Sequence, residues 1–478
     1  MANINGTNGN DYLLGTTGND IIKGFGGDDH INGNGGNDTL EGGDGNDTLN
    51  GASTGNSILR GGSGNDSLIV SSSFGNNTLE GGAGSDFVNA SYSSGNNTLR
   101  GDAGNDTLTI NYSTGKNTVS GGAGSDRIIA FGVQGANTLN GGDGDDFFSI
   151  SSSFTAPSSL VTQTVNGDTG NDELSVNYSN SNAGITSTFN ASNNQGSITA
   201  GTNRVSYRNI ERLSISGTAY DDYIVGTNGN DTLSGGTGGN DTLVGGGGSD
   251  FLNVNGSTGD NLLDGGDGND TLSASRFFFS TIAASGNNTL NGGGGSDFLN
   301  VNGSTGDNLL DGGDGNDTLS ASRSFFPVID ASGNNTLNGG AGDDNLNVNF
   351  STGDNLLDGG DGNDTLFARS ALGNNTLNGG AGNDSLVVDS SSGTNQLDGG
   401  DGNDTLSALS ASGENTLIGG AGDDTIIGGA GDDTIIGGQG NDNINGGDGF
   451  DTADYSQLGN TITLSGVGTI TKAGDLGQ

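Results

Sequence analysis

A nine-residue unit, GGDGNDTLN from Gly42 to Asn50, recurs with small changes about 26 times along the chain. Its first six residues form turns: glycines at the first, second and fourth places and an aspartate at the sixth. The last three read as a short extended segment with one apolar residue between two polar ones. Each unit is too small to bury an apolar face alone, so units repeated at a fixed period must bury it against their neighbours in a stack. The repeat therefore fixes the fold class as all-β, a solenoid of stacked coils.

The spacing of the units describes the coil. Nonapeptides begin at Gly6, Gly15, Gly24, Gly33 and Gly42. Turns then start every twenty residues, at Gly61, Gly81, Gly101, Gly121 and Gly141. Two nines make a coil of eighteen; nine plus an eleven-residue half such as VSSSFGNNTLE make a coil of twenty. Both hold two strands and two turns, the second turn having been exchanged in the longer form. Stacked at this period, Leu68, Val88, Leu108, Ile128 and Phe148 form one column. Val70, Ala90, Ile110, Ala130 and Ile150 form a second, and Leu79, Leu99, Val119 and Leu139 a third. Alternate residues of a strand face the same way, so these columns predict a narrow continuous core. Asn77, Asn97, Asn117 and Asn137 align in the second turn and read as an asparagine ladder that satisfies backbone groups.

Four segments follow from this pattern. Residues 1–150 are a first array. Residues 151–216 are a β-rich interruption with one relic turn, Gly167 to Asp172, and alternating stretches such as ITSTFN and GSITAG. Arg204, Arg208 and Arg212 fall in it, and are read as balancing neighbouring acidic turns. Residues 217–454 are a second array, in which Gly245 to Asn291 and Gly292 to Asn338 are near-identical blocks. Each block carries a phenylalanine-rich bulge (Phe277, Phe278, Phe279; Phe325, Phe326), a candidate contact patch. Residues 455–478 echo the interruption and are expected to be a cap or a shortened copy of it.

Composition supplies what the pattern alone does not. Only 28% of residues are hydrophobic, and 57 acidic residues face 12 basic ones, a net charge of -45. So little apolar surface with charge of one sign is a composition that does not fold unaided. A cation is the expected source of the missing free energy. The same charge excludes nucleic acid, whose phosphates would repel it. There is no cysteine and a single histidine, His30, so thiolate metal sites and histidine-based catalytic sets are excluded. No apolar run reaches the length of a transmembrane segment.

The turn itself offers only oxygen. Its glycines permit backbone angles that aim successive carbonyls at one point, and the aspartate adds a carboxylate. A flexible cage of oxygens suits calcium better than magnesium, which demands a tighter octahedron. The aspartate stands at the same place in nearly every turn, which simple turn propensity does not require. In the first array the column is Asp11, Asp29, Asp47, Asp66, Asp86, Asp106, Asp126 and Asp146, with Asp20 and Asp38 on the opposite edge. Asp172, Asp222, Asp231, Asp241, Asp250, Asp270, Asp297, Asp317 and Asp344 continue the candidate metal ligands. Asp364, Asp384, Asp404, Asp424, Asp433, Asp442 and Asp451 complete them. If neighbouring turns share one ion, the chain holds on the order of 20 calcium ions, about +40 against the net charge.

Units such as GGDGNDTLN and GGAGDDTII resemble the RTX, or haemolysin-type, calcium-binding repeats, whose consensus is GGxGxDxUx. NRVSYRNIERLSISGTAYDD also looks like a segment of large cyanobacterial proteins of this type. The resemblance implies a right-handed parallel β-roll, or β-helix solenoid, with the sixth-position aspartates and turn-glycine carbonyls as ligands. It implies a secreted or extracellular protein that leaves the cell by a route reading a C-terminal signal, which the absence of an N-terminal leader fits. The function expected is calcium binding that folds a non-catalytic structural or adhesive repeat protein. Its partners would be calcium ions and a cell-surface polysaccharide or another protein. The alternatives are the calcium module of a secreted protease, lipase or polysaccharide epimerase, with Tyr178, Tyr207 or Glu211 in a cryptic site, or an ice-binding or adhesin face carrying Thr78, Thr98, Thr118 and Thr138.

Overall fold

The computed structural model describes residues 1–152, 159–275, 284–325, 328–329, 331–454 and 463–464. Most of the 455–478 segment and the side chains of the phenylalanine bulges lie outside the described residues. No helix occurs among the described residues, and none is long and apolar enough to cross a membrane. The chain divides into two units, Met1–Leu233 and Ser234–Gln478.

Each unit is a parallel β-solenoid of two sheets. One sheet is built of the longer strands, such as Thr78–Ala83, Thr98–Ala103 and Thr118–Ala123, and the other of three- to five-residue strands such as Phe87–Asn89 and Thr107–Thr109. Register never slips within a run: Leu79 lies opposite Leu99, and Leu99 opposite Val119, while Leu68, Val88, Leu108, Ile128 and Phe148 pair in turn on the other sheet. A one-residue slip would turn every leucine outward, so the apolar period enforces the register. All three predicted columns are buried, each residue at most 1% exposed. In the second unit Leu263, Leu290, Leu310, Leu337, Leu357 and Leu377 form the same core.

The interruption stays in the stack. Val161–Thr169 pairs in parallel with Thr138–Asp143 on one side and Asn203–Arg208 on the other. Three strands then replace one: Asn203–Arg208, Gln195–Ala200 and Ile185–Asn190 pair antiparallel in succession, and the last returns to parallel pairing with Tyr223–Val225. Meanwhile Glu173–Asn177 pairs directly with Arg212–Ser216 in the short-strand sheet. Tyr178 and Tyr207 are each 2% exposed and belong to this core. Arg212 pairs with Glu173 at 3.4 Å; burial pushes the Asp231 carboxyl up to about 7, and the Arg212 guanidinium offsets a small part of that, so it balances acidic groups as its position suggested.

Outside the core the first unit carries a column that the repeat consensus hides. Lys23, Glu41, Arg60, Glu80 and Arg100 stand in register on the long strands, just ahead of each glycine turn. Lys23 meets Glu41 at 2.6 Å and Arg60 meets Glu80 at 2.8 Å. In the second unit the same place alternates Asp264, Asn291, Asp311, Asn338, Asp358 and Asn378. There each asparagine donates to the aspartate before it, at 2.8–2.9 Å. Both columns pair complementary groups across neighbouring strands.

Candidate metal centre

The turn Gly42 to Asp47 shows how the glycines place the aspartate. Gly43 and Gly45 have φ of 123° and 130°, a region closed to most side chains. Gly42 needs its missing Cβ for another reason: the Asp47 carboxylate folds over it, and a side chain there would collide with Asp47 Oδ2 and with the carbonyl of Gly61 in the next coil. A carboxylate oxygen of one coil and a carbonyl oxygen of the next are thus held close to one glycine Cα. The arrangement repeats at Gly61 with Asp66 and Gly81, and at Gly359 with Asp364 and Gly379.

The two carboxylate oxygens have different surroundings. Oδ1 of each aspartate accepts the main-chain N–H of the aspartate one coil earlier. Asp47 donates to Asp66, Asp66 to Asp86, Asp86 to Asp106 and Asp106 to Asp126, each at 2.7 Å. The ladder begins at Asp11 and runs through Asp29 to Asp146 and Asp172. In the second unit it runs from Asp250 through Asp270, Asp297, Asp317, Asp344, Asp364, Asp384, Asp404 and Asp424 to Asp442. The second oxygen, Oδ2, is buried and has no hydrogen-bond partner in Asp29, Asp38, Asp47 and on through Asp172, or in Asp270 through Asp424, Asp442 and Asp451.

A buried acceptor without a donor is costly, and here it recurs from coil to coil along both carboxylate ladders. Burial, reinforced by neighbouring carboxylates, pushes Asp126, Asp146, Asp344 and Asp424 up to about 7 and Asp106 and Asp364 up to about 6. Strands in a sheet lie about 4.8 Å apart, so two ionised neighbours repel by roughly 3.5 kcal/mol at an effective dielectric constant near 20. That exceeds the roughly 1.5–3 kcal/mol gained by burying one leucine, and a metal-free column at neutral pH works against its own core. Among the described residues no three carboxylates or imidazoles converge, so a metal here must draw main-chain carbonyls into its shell. Oxygen donors from two successive coils, one charged and the rest neutral, fit calcium.

The opposite edge carries the same ladder with different chemistry. Asp20 gives way to Asp38, Ser57 and then Asn77, Asn97, Asn117 and Asn137, joined N–H to side-chain oxygen. Each asparagine Nδ2 also donates to the glycine carbonyl two residues before it and to the next Oδ1, so Asn97 bonds Gly95 O and Asn117 Oδ1, both at 3.0 Å. In the second unit this ladder opens at Asp241, continues through Asn261, Asn288, Asn308, Asn335, Asn355, Asn375, Asn395 and Asn415, and ends on Asp433 and Asp451. The predicted ladder of Asn77, Asn97, Asn117 and Asn137 is therefore present, and the second unit carries a further one that was not singled out.

Five of the predicted aspartates are held differently. Asp11, Asp20, Asp222 and Asp231 receive the N–H and hydroxyl of Thr7, Thr16, Thr218 and Thr227 in their own turns, and Asp433 receives the N–H of Gly429. Two rungs escaped the sequence pattern. Glu211 Oε2 accepts the Asp172 N–H at 2.9 Å, and Gln163 Oε1 accepts that of Asn137 at 3.1 Å. Gln163 precedes its turn glycine by four residues, as Asn137 does, so its register was readable. Glu211 follows a shortened turn that no register marks.

Fold and site together define a calcium-binding β-solenoid, with its oxygen donors on main-chain turns. The model of the RTX calcium-binding nonapeptide repeat matches at sixteen places, which cover residues 5–109, 113–148, 216–277, 282–323, 328–349 and 351–453. The chain belongs to that family. No curated protein matches it.

Proposed function

We propose that this is a structural or adhesive repeat protein, secreted or held at the cell surface, that folds when calcium enters the turns of its two arrays. The aspartates whose Oδ2 lacks a partner would hold the ions, together with glycine carbonyls of the same and the next coil. Calcium supplies the positive charge that these oxygens lack, and each chain residue has a defined part. Oδ1 fixes the carboxylate by accepting a main-chain N–H, Oδ2 is left to face the ion, and the first glycine leaves room for both. The observation that carries the reading is the recurrence of the buried, partnerless Oδ2 from coil to coil. Extracellular calcium modules bind with dissociation constants of about 0.1–1 mM, so the chain would stay unfolded in a calcium-poor cytoplasm and fold in the medium.

The surroundings of Tyr178, Tyr207 and Glu211 support a non-catalytic reading. Both Glu211 oxygens are engaged, by Asp172 N–H and Asn194 Nδ2, and both tyrosines are buried. The test is far-ultraviolet circular dichroism of the full chain. Strand signal is expected to appear with millimolar calcium and to disappear on chelation. Undiminished strand signal in excess EGTA at pH 7.5 would overturn the proposal.

A further inference from the structure

The second residue of each turn separates two kinds of calcium-type turn. For the turn aspartates from Asp29 to Asp172, and for Asp270 to Asp424, Asp442 and Asp451, the φ of that residue is positive and Oδ2 has no partner. This holds for glycines such as Gly43 (123°) with Asp47 and Gly360 (106°) with Asp364. It holds equally for Phe25 (80°) with Asp29 and Asp102 (76°) with Asp106, so backbone sign rather than residue type goes with the open carboxylate. Where the second residue is threonine, φ is not positive. A β-branched residue is a genuine outlier at positive φ. The peptide then turns its N–H inward: Thr16 N–H and hydroxyl lie 2.6 and 2.8 Å from Asp20 Oδ2, and Thr218 N–H lies 2.7 Å from Asp222 Oδ2.

A donor aimed at Oδ2 and a cation compete for the same lone pairs. We propose that the threonine turns at Gly6, Gly15, Gly217 and Gly226, and the turn at Gly428 whose Gly429 N–H lies 2.6 Å from Asp433 Oδ2, hold no calcium, their own N–H and, in the threonine turns, the hydroxyl standing in for the ion. This inference rests on the calcium reading of the other turns. It makes the ion count smaller than the aspartate count. It also leaves the first unit with metal-independent turns at the start of its first glycine run and again at Gly217 and Gly226. Between them lie the turns from Gly24 to Asp172 that need the ion.

Calcium bound per chain is counted by equilibrium dialysis on the full protein and four variants. Asp20→Ala is expected to leave the count unchanged, whereas Asp364→Ala lowers it by about one ion. Gly360→Thr should lower it likewise, because a Cβ there at positive φ would collide with the Gly340 carbonyl and drive the turn into the self-bonded form. Thr16→Gly should raise the count by about one. Gly360→Thr keeps the test open if an alanine variant fails to fold, since a self-bonded turn needs no ion to stay closed. A calcium-loaded wild type in which Asp20→Ala loses as much calcium as Asp364→Ala overturns this inference alone. A wild type that takes up no calcium overturns the function proposed above as well.

Discussion

The two edges of the solenoid solve one structural problem with two chemistries. On both, a side-chain oxygen accepts the N–H of the equivalent residue one coil away: Asp106 donates to Asp126 at 2.7 Å, and Asn97 to Asn117 at 3.0 Å. They differ in the other arm of the side chain. Asparagine places an NH2 there, which reaches a glycine carbonyl and the next side-chain oxygen. Aspartate places an oxygen there, and it finds no donor. An amide completes its own turn; a carboxylate whose Oδ2 receives no N–H from its own turn does so only with a cation beside it. The asparagine edge is therefore what the aspartate edge becomes once its ions are replaced by covalent N–H groups. The asparagine runs are complete without an ion, whereas the carboxylate runs, together with Asp38 and Asp451 near the ends of the asparagine edge, respond to their surroundings.

The largest break in that symmetry should come from pH without metal. Asp126 and Asp146 titrate at about 7 in the metal-free fold because burial and neighbouring carboxylates favour the protonated form. An unfolded aspartate titrates near 3.9. Protonation thus favours the fold fully below about pH 4, and that contribution is lost as pH rises through about 7. In EGTA the strand signal should grow as pH falls from 8 to 5, and calcium affinity should fall over the same range as protons compete. A metal-free chain indifferent to pH would show that the carboxylate edge does not limit folding.

Exchanging the chemistries between edges comes next. Asn97→Asp removes the donors to Gly95 O and Asn117 Oδ1 and buries a charge, at a cost of about 2–3 kcal/mol. Hydrogen exchange in the Thr78–Ala83 and Thr98–Ala103 strands should report it, since neighbouring coils carry the loss in a quasi-linear stack. The reverse exchange, Asp106→Asn, should be milder and opposite in sign according to calcium. It should lower the calcium count, as is expected of Asp364→Ala, but in chelator it should protect adjacent coils by about 1 kcal/mol relative to the wild type. An Asp106→Asn variant that is less protected than wild type in both conditions would mean that the two edges are not interchangeable.

Much of this was legible because the repeat is strict. Fixed spacing puts Leu79, Leu99 and Val119 in one column and the aspartates in another, and it separates the asparagine edge from the calcium edge. What it could not supply was the state of single oxygens. Asp20 and Asp38 occupy the same place in the consensus, yet Thr16 fills one carboxylate while the turn of the other, with Asn34 at φ 68°, does not. That distinction lies in one backbone torsion. Nor could periodicity find Glu211, where a turn shortened between Asn209 and Arg212 is spanned by a side chain one carbon longer than aspartate.

The smallest effect separates the outward columns of the two units. Lys23, Glu41, Arg60, Glu80 and Arg100 are linked by ion pairs whose basic side chains are 40–55% exposed. Exposed pairs contribute about 0.2–1 kcal/mol, less at high salt. Asp264 with Asn291, and Asp311 with Asn338, hold the same register with one charge per pair and a hydrogen bond that salt does not screen as strongly. Arg60→Gln should therefore loosen the strands Thr39–Asp44, Ile58–Ser63 and Thr78–Ala83 by no more than about 0.5 kcal/mol, and raising salt to 1 M should erase the difference. Asn338→Ala should keep its cost at that salt, with hydrogen exchange of Asn335–Ala341 as the measure. Equal salt sensitivity in both would show that the ion-pair column is held by packing of the side-chain stems, and that its charges are incidental to the stack.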